Sequence, residues 1–281
     1  MTMRTTMDKN AILDRLHQLP AMPLVVQEVL ASFNDERIGS TVLAHKIALD
    51  QGLSARVLRV ANSSFYGLPR EIGSIQEAVT VLGFDTVRSL VLSAGFMRAF
   101  PAGAGKGFDR HAYWLRSFRV ATYTEALAQC LGSERPMSFS AGMFHDVGQL
   151  VLDVCMPEQF AAVLAQQAAS GRDLIECERA ELGFDHAEIG ADMARRWNFP
   201  AKLEHAIRYW RAPAHESFEA VTAMVHIAVE LERGAGGEAL IDSLPATLRD
   251  RLQLSWPELV ACLPQPQQLD ATARLLRAPQ D

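Results

Sequence analysis

The 281-residue chain is poor in cysteine and aromatics, has no long apolar run, and carries no excess of basic residues. Its four cysteines, Cys130, Cys155, Cys177 and Cys262, stand far apart with no C-x-x-C pair. That spacing argues against a disulfide framework or a thiolate zinc site and leaves buried free thiols. No apolar stretch approaches the roughly 20 residues that cross a bilayer. The N-terminal Met1-Thr2-Met3-Arg4-Thr5-Thr6-Met7 lacks the apolar segment of a secretion signal, so the expected compartment is the cytoplasm, with no membrane partner. With 27 basic against 33 acidic residues the net charge is −6, which argues against nucleic acid as a partner. Period-two alternation is scarce, so little of the chain reads as strand, and there is no tandem repeat.

What the chain has is helical periodicity. Hydrophobic residues make up 49% and charged residues 21%, as in an ordinary globular core. Apolar positions recur at three- and four-residue spacing almost throughout, which predicts an all-α fold. Ser40 is placed to start a helix to about Asp50. Ser74 and Glu77 form an S-x-x-E capping box ahead of Ala78-Val79-Thr80-Val81-Leu82, with Gly83 as the stop. Helices are predicted over 85–100 and 110–131, separated by the small-residue stretch 101–107. Later breaks fall at Gly171-Arg172, Gly183-Phe184, Phe199-Pro200 and Ala212-Pro213. A second joint, Gly234-Ala235-Gly236-Gly237, leads into short, proline-rich helices.

The chemistry concentrates in Phe144-His145-Asp146-Val147-Gly148-Gln149-Leu150-Val151-Leu152, where a histidine and an aspartate adjoin inside an apolar, helix-like run. A carboxylate there needs a partner, because burying it alone is costly. Two readings stay open: a metal-liganding pair, or a buried pair hydrogen-bonded to backbone. Gly142 and Gly148 beside it suit close helix packing, or simple helix ends. Asn62-Ser63-Ser64-Phe65-Tyr66-Gly67 reads as a helix end and tight turn, with a recognition surface as the functional alternative. Gly103-Ala104-Gly105-Lys106-Gly107 is a linker, because the G-x-x-x-x-G-K-[ST] spacing of a phosphate loop fails. The run Glu176, Glu178, Arg179, Glu181 reads as a solvated helix face. Phe65, Tyr66, Tyr113, Trp114, Trp197 and Trp210 read as core, with the lining of a ligand pocket as the alternative. His17, His45, His205, His215 and His226 have no spacing that demands a ligand role.

In order along the chain, Leu19-Pro20-Ala21-Met22-Pro23, the Asn62–Gly67 turn, Ser74-Ile75 through Leu82-Gly83, Trp114-x-x-Ser117, Ala141 through Gly148, His186-Ala187-Glu188-Ile189-Gly190-Ala191 and Trp197-Asn198-Phe199-Pro200 resemble the HDOD family, HD-related output domains of bacterial signalling proteins. The resemblance implies a domain over 12–230, with an N-terminal helical lobe at about 12–100 packed with an HD-like helical lobe at 108–230. Residues 234–281 would form a C-terminal helical extension. Catalytic HD relatives hold one or two divalent metals that activate water against a phosphate. Of the positions implied, His145, Asp146 and His186 are retained. Arg116 stands where the first metal histidine belongs, just before Ser117, and Val229 where the last aspartate belongs. Trp210 and Arg211 stand where cyclic-di-GMP phosphodiesterases carry a His-His pair. His111 and Glu230 point to other helix faces. A guanidinium cannot ligate a cation and repels it.

The resemblance therefore implies a degenerate metal site with no catalytic residue and no cofactor, in a regulatory domain that acts through signalling proteins or a sensed ligand. Arg116 is expected to replace the metal charge by pairing with Asp146. The alternatives are a metal-dependent phosphohydrolase of nucleotides or cyclic dinucleotides, and a nucleotide sensor without turnover that grips phosphate through Arg116 or Arg211. A single divalent ion on His145, Asp146 and His186 is the lesser variant.

Overall fold

A computed structural model of the chain describes residues 19, 23–34, 40–62, 66–100, 107–214, 218–264 and 269. Residues 20–22, 63–65, 101–106, His17 and His215, on which several sequence readings fell, lie outside the described residues, as do most of the positions beyond 264. Among the described residues every regular element is a helix.

Helices α1 (Leu24–Asn34), α2 (Ser40–Leu49), α3 (Gln51–Ala61), α4 (Ile75–Leu82) and α5 (Phe84–Ala99) form the first lobe. Local chemistry sets their ends. Asp50 caps α3 by accepting from Leu53 N. Asn62 closes α3, and its side chain imitates a strand partner, donating to Ile72 O at 2.9 Å and accepting from Ile72 N at 2.7 Å. The capping box expected at 74–77 forms by half. Ser74 accepts from Glu77 N, but the Glu77 carboxylate reaches past the cap to Gly73 N at 3.0 Å, where it also meets Arg70. Gly83 ends α4 at φ +85°, a backbone open to glycine and strained for other residues.

Helix α5 belongs to both lobes. Toward the first, Gly95 lies so close to Val26 of α1 that a Cβ there would collide with its methyl groups. Toward the second, Phe96 packs edge and tilt against Phe144, Trp197 and Phe199, with ring centroids 4.7–5.6 Å away.

The second lobe comprises α6 (Arg110–Cys130), α7 (Arg135–Phe144), α8 (Gly148–Cys155), α9 (Pro157–Ser170), α10 (Leu174–Leu182), α11 (His186–Arg196), α12 (Ala201–Tyr209) and α13 (Ala220–Glu232). The long α6 is its axis, flanked by α7 and α13. Arg110 at its start forms an ion pair with Asp153 of α8, its Nε and Nη2 both reaching Oδ2 at 2.6 Å, with both side chains 5% exposed or less. Removing one partner of such a pair typically costs about 3–5 kcal/mol. Three short helices, α14 (Gly237–Ser243), α15 (Ala246–Leu252) and α16 (Trp256–Cys262), follow. Glu258 caps α16 by accepting from Ser255 N and Oγ. This end packs on α6 through the buried Leu259, so the extension covers the second lobe as far as residue 262. All four cysteines are free thiols.

Candidate functional site

The His-Asp pair does not sit inside a helix, as its apolar run suggested. Helix α7 stops at Phe144 and α8 starts at Gly148. Between them the backbone tightens to i→i−3 bonds: Val147 N to Phe144 O at 3.0 Å, Gln149 N to Asp146 O at 2.9 Å and Leu150 N to Val147 O at 3.1 Å. The cause is a close approach. A Cβ on Gly148 would overlap the His186 carbonyl, and Gly190 of α11 packs on the Gly148 backbone. Gly142 is tight as well, since a Cβ there would fall 2.6 Å from the Ala121 Cα of α6. Both glycines are contact points between helices.

This junction delivers a row of four charged groups. Glu178 of α10 takes the His186 backbone N–H at 2.9 Å and ring Nδ1 at 2.7 Å. His186 Nε2 lies 3.2 Å from Asp146 Oδ1. Asp146 Oδ2 accepts from Arg116 Nη2 of α6 at 2.8 Å and from Gln149 Nε2 at 2.9 Å. Glu178, His186 and Asp146 are buried, while the Arg116 side chain is 39% exposed. Burial alone would push the His186 imidazole down, but the Glu178 and Asp146 carboxylates on its two nitrogens raise its pKa to about 10. It is an imidazolium that donates from both sides. Burial would raise Asp146, yet the His145 and His186 rings and the Arg116 guanidinium hold it well below the ordinary carboxylate value. The row alternates in sign and sums to zero.

His145 differs. Burial lowers its pKa to about 4, so the ring is neutral. Its Nδ1 lies 2.7 Å from Gly142 O and donates there, leaving Nε2 as the lone-pair atom, 3.4 Å from Asp146 Oδ2. The indole of Trp210 meets the ring edge-on at 5.3 Å.

The structure thus brings together His145, Asp146, His186, Arg116 and, on the rim, Trp210, Arg211 and Val229. The expected Arg116–Asp146 pair is present. Glu230 turns away to Arg233 at 2.8 Å. His205 bonds Thr222 and His226 bonds the Trp210 carbonyl. One reading is overturned: Glu178 does not belong to a solvated face but is fully buried on His186. Glu178, Gln149, Asp173 and Arg233 were missed in the sequence.

A divalent metal does not fit this donor set as it stands. Both Asp146 oxygens already accept hydrogen bonds, the His186 Nε2 proton faces Asp146, and a guanidinium occupies the remaining side. Among the described residues no group of three or more His, Cys, Asp or Glu side chains is arranged to hold a metal ion.

The family model of the HDOD domain matches residues 19–213. The chain belongs to the HDOD family. The HDOD fold is shared with a Shewanella amazonensis protein provisionally called a phosphohydrolase, 28% identical, covering 95% of this chain and 98% of that one at a TM-score of 0.77. An HDOD domain protein of unknown function from Geobacter sulfurreducens is 26% identical, with 95% of each chain covered at a TM-score of 0.77. A Marinobacter aquaeolei protein provisionally called a signal transduction protein is 25% identical, with 98% of this chain and 67% of that one covered at 0.75. An uncharacterised Treponema pallidum protein is 24% identical over 98% of this chain, which spans about half of that relative's length (52%). No helix among the described residues is long and apolar enough to cross a membrane.

Proposed function

We propose that this HDOD domain is a non-catalytic regulatory module of bacterial cytoplasmic signal transduction, acting through protein partners or a sensed small ligand. One observation carries the reading: the Asp146 carboxylate, which catalysis would need on a metal, is satisfied by His186, Gln149 and Arg116. An ion entering here would have to strip a proton from an imidazolium whose pKa is raised to about 10 and displace a guanidinium. The module would instead hold a fixed scaffold of paired charges with no net charge. The name of the Marinobacter relative supports a signalling role.

The phosphohydrolase reading has the name of the Shewanella relative in its favour. Elemental analysis of the purified protein, followed by nucleotide and cyclic-dinucleotide turnover with added manganese, iron or nickel, separates the two. The regulatory reading expects no stoichiometric metal and no product. Stoichiometric metal with turnover that disappears in Asp146→Asn would overturn it.

A further inference from the structure

We propose that the cavity above the His-Asp pair is a binding site for a phosphoryl group, presented by a small phosphorylated ligand. The proposal rests on the reading that the site does not turn over, and it names the chemistry of what the module senses.

The cavity holds about 120 Å³ and is lined by Arg116, Trp210, Arg211 and Arg233, with His145 and Asp146 at its floor. Each guanidinium is held by a carboxylate at one edge: Arg116 Nη2 by Asp146, Arg211 Nη1 by Asp173 at 2.9 Å and Arg233 Nη1 by Glu230. What remains is a surplus of donors. Arg116 Nε, Arg211 Nε and the Trp210 indole Nε1 are buried and have no acceptor. Three residues that line one small cavity thus each carry an orphaned N–H, which is uncommon because buried donors are almost always satisfied. They ask for an occupant that is all acceptor. A tetrahedral oxyanion offers several oxygens at once, and arginine suits it best.

The donors are held in place. The Arg211 guanidinium lies 4.9 Å over the Trp210 ring and that of Arg233 lies 5.8 Å from it, while His226 bonds the Trp210 carbonyl. The volume sets the size limit. It equals roughly four water molecules, enough for a phosphoryl group and too little for a nucleoside, which would remain outside the mouth. Asp146, Asp173 and Glu232 also line the cavity and offset the three arginines. Directed hydrogen bonds, more than net charge, would therefore hold the anion.

The test is thermal unfolding of the whole protein titrated with inorganic phosphate, adenosine 5′-monophosphate, and adenosine, against chloride at matched ionic strength. Wild type is expected to show a saturable rise in Tm with phosphate and with the monophosphate, and none with adenosine. Tighter binding of the monophosphate would identify a phosphoester as the natural source, and equal binding would identify free phosphate. Arg211→Gln, which shortens a partly exposed side chain, should weaken binding about tenfold, the loss of one charged hydrogen bond. Trp210→Phe keeps the ring and removes the N–H, and should weaken it several-fold. No saturable shift, or the same shift in both variants, would overturn the proposal while leaving the regulatory reading standing. Consumption of the monophosphate would overturn that reading and leave the binding site intact.

Discussion

The Glu178 carboxylate grips His186 twice, at its backbone N–H and at ring Nδ1, and so points the opposite ring nitrogen at Asp146. In metal centres a carboxylate behind a histidine orients a ligand toward an ion. Here the same arrangement aims a proton at a carboxylate.

That proton should be visible in the pH dependence of stability. His186 titrates at about 10 when folded, against an ordinary 6.5, so its contribution is complete below 6.5 and is lost as pH climbs toward 10. By pH 8 Glu125, which burial raises to about 7, is mostly ionised, and the Cys130 thiol, raised to about 11 from 9, is still mostly protonated both folded and unfolded. Near pH 8, where His186 alone dominates, urea denaturation should give a stability slope of about −1.4 kcal/mol per pH unit. Glu178→Gln should flatten it. A flat wild-type profile would show that His186 is neutral.

Arg116→Ala should destabilise the fold by about 2 kcal/mol, between the values for exposed and for buried pairs, since Asp146 is buried and Arg116 is partly exposed. Equilibrium urea denaturation at pH 7 reads this directly. An unchanged midpoint would mean that His186 and Gln149 suffice to hold Asp146.

Arg116→His should turn the scaffold toward metal. It removes the repelling charge and adds an imidazole beside His145, Asp146 and His186. Nickel or manganese is expected to raise the Tm of this variant and leave wild type unchanged. An equal rise in both proteins would show that Arg116 is no barrier.

Gly148→Ala should be severe, at about 3 kcal/mol or more, because its methyl group overlaps the His186 carbonyl and neither backbone can retreat. Gly171→Ala is a useful contrast. It strains a positive φ of 67°, yet nothing lies within 4 Å of the added Cβ, so the loss there should be smaller. Paired denaturation curves rank the two.

The helices and several of their stops were legible because periodicity and caps are local. The Arg116–Asp146 pair was legible because a lost ligand position and a buried carboxylate point to each other. Glu178 was misread because Glu176, Arg179 and Glu181 surround it. Its phase carried the better signal: it lies three residues after Ile175 and four before Leu182, both buried on the same helix face. The helix break at 145–147 had no proline to announce it. It comes from α11 pressing on Gly148, a tertiary contact no local pattern encodes. The Arg211–Asp173 pair spans 38 residues and escaped for the same reason.

The small-residue stretch at 101–107 divides the sequence cleanly, but the core does not divide there. With Val26 on one flank of α5 and Phe144, Trp197 and Phe199 on the other, cutting at that stretch would leave each fragment with an open oily wound. Neither half would be a portable cassette, and any shuffling of this module among larger proteins has to carry both lobes together.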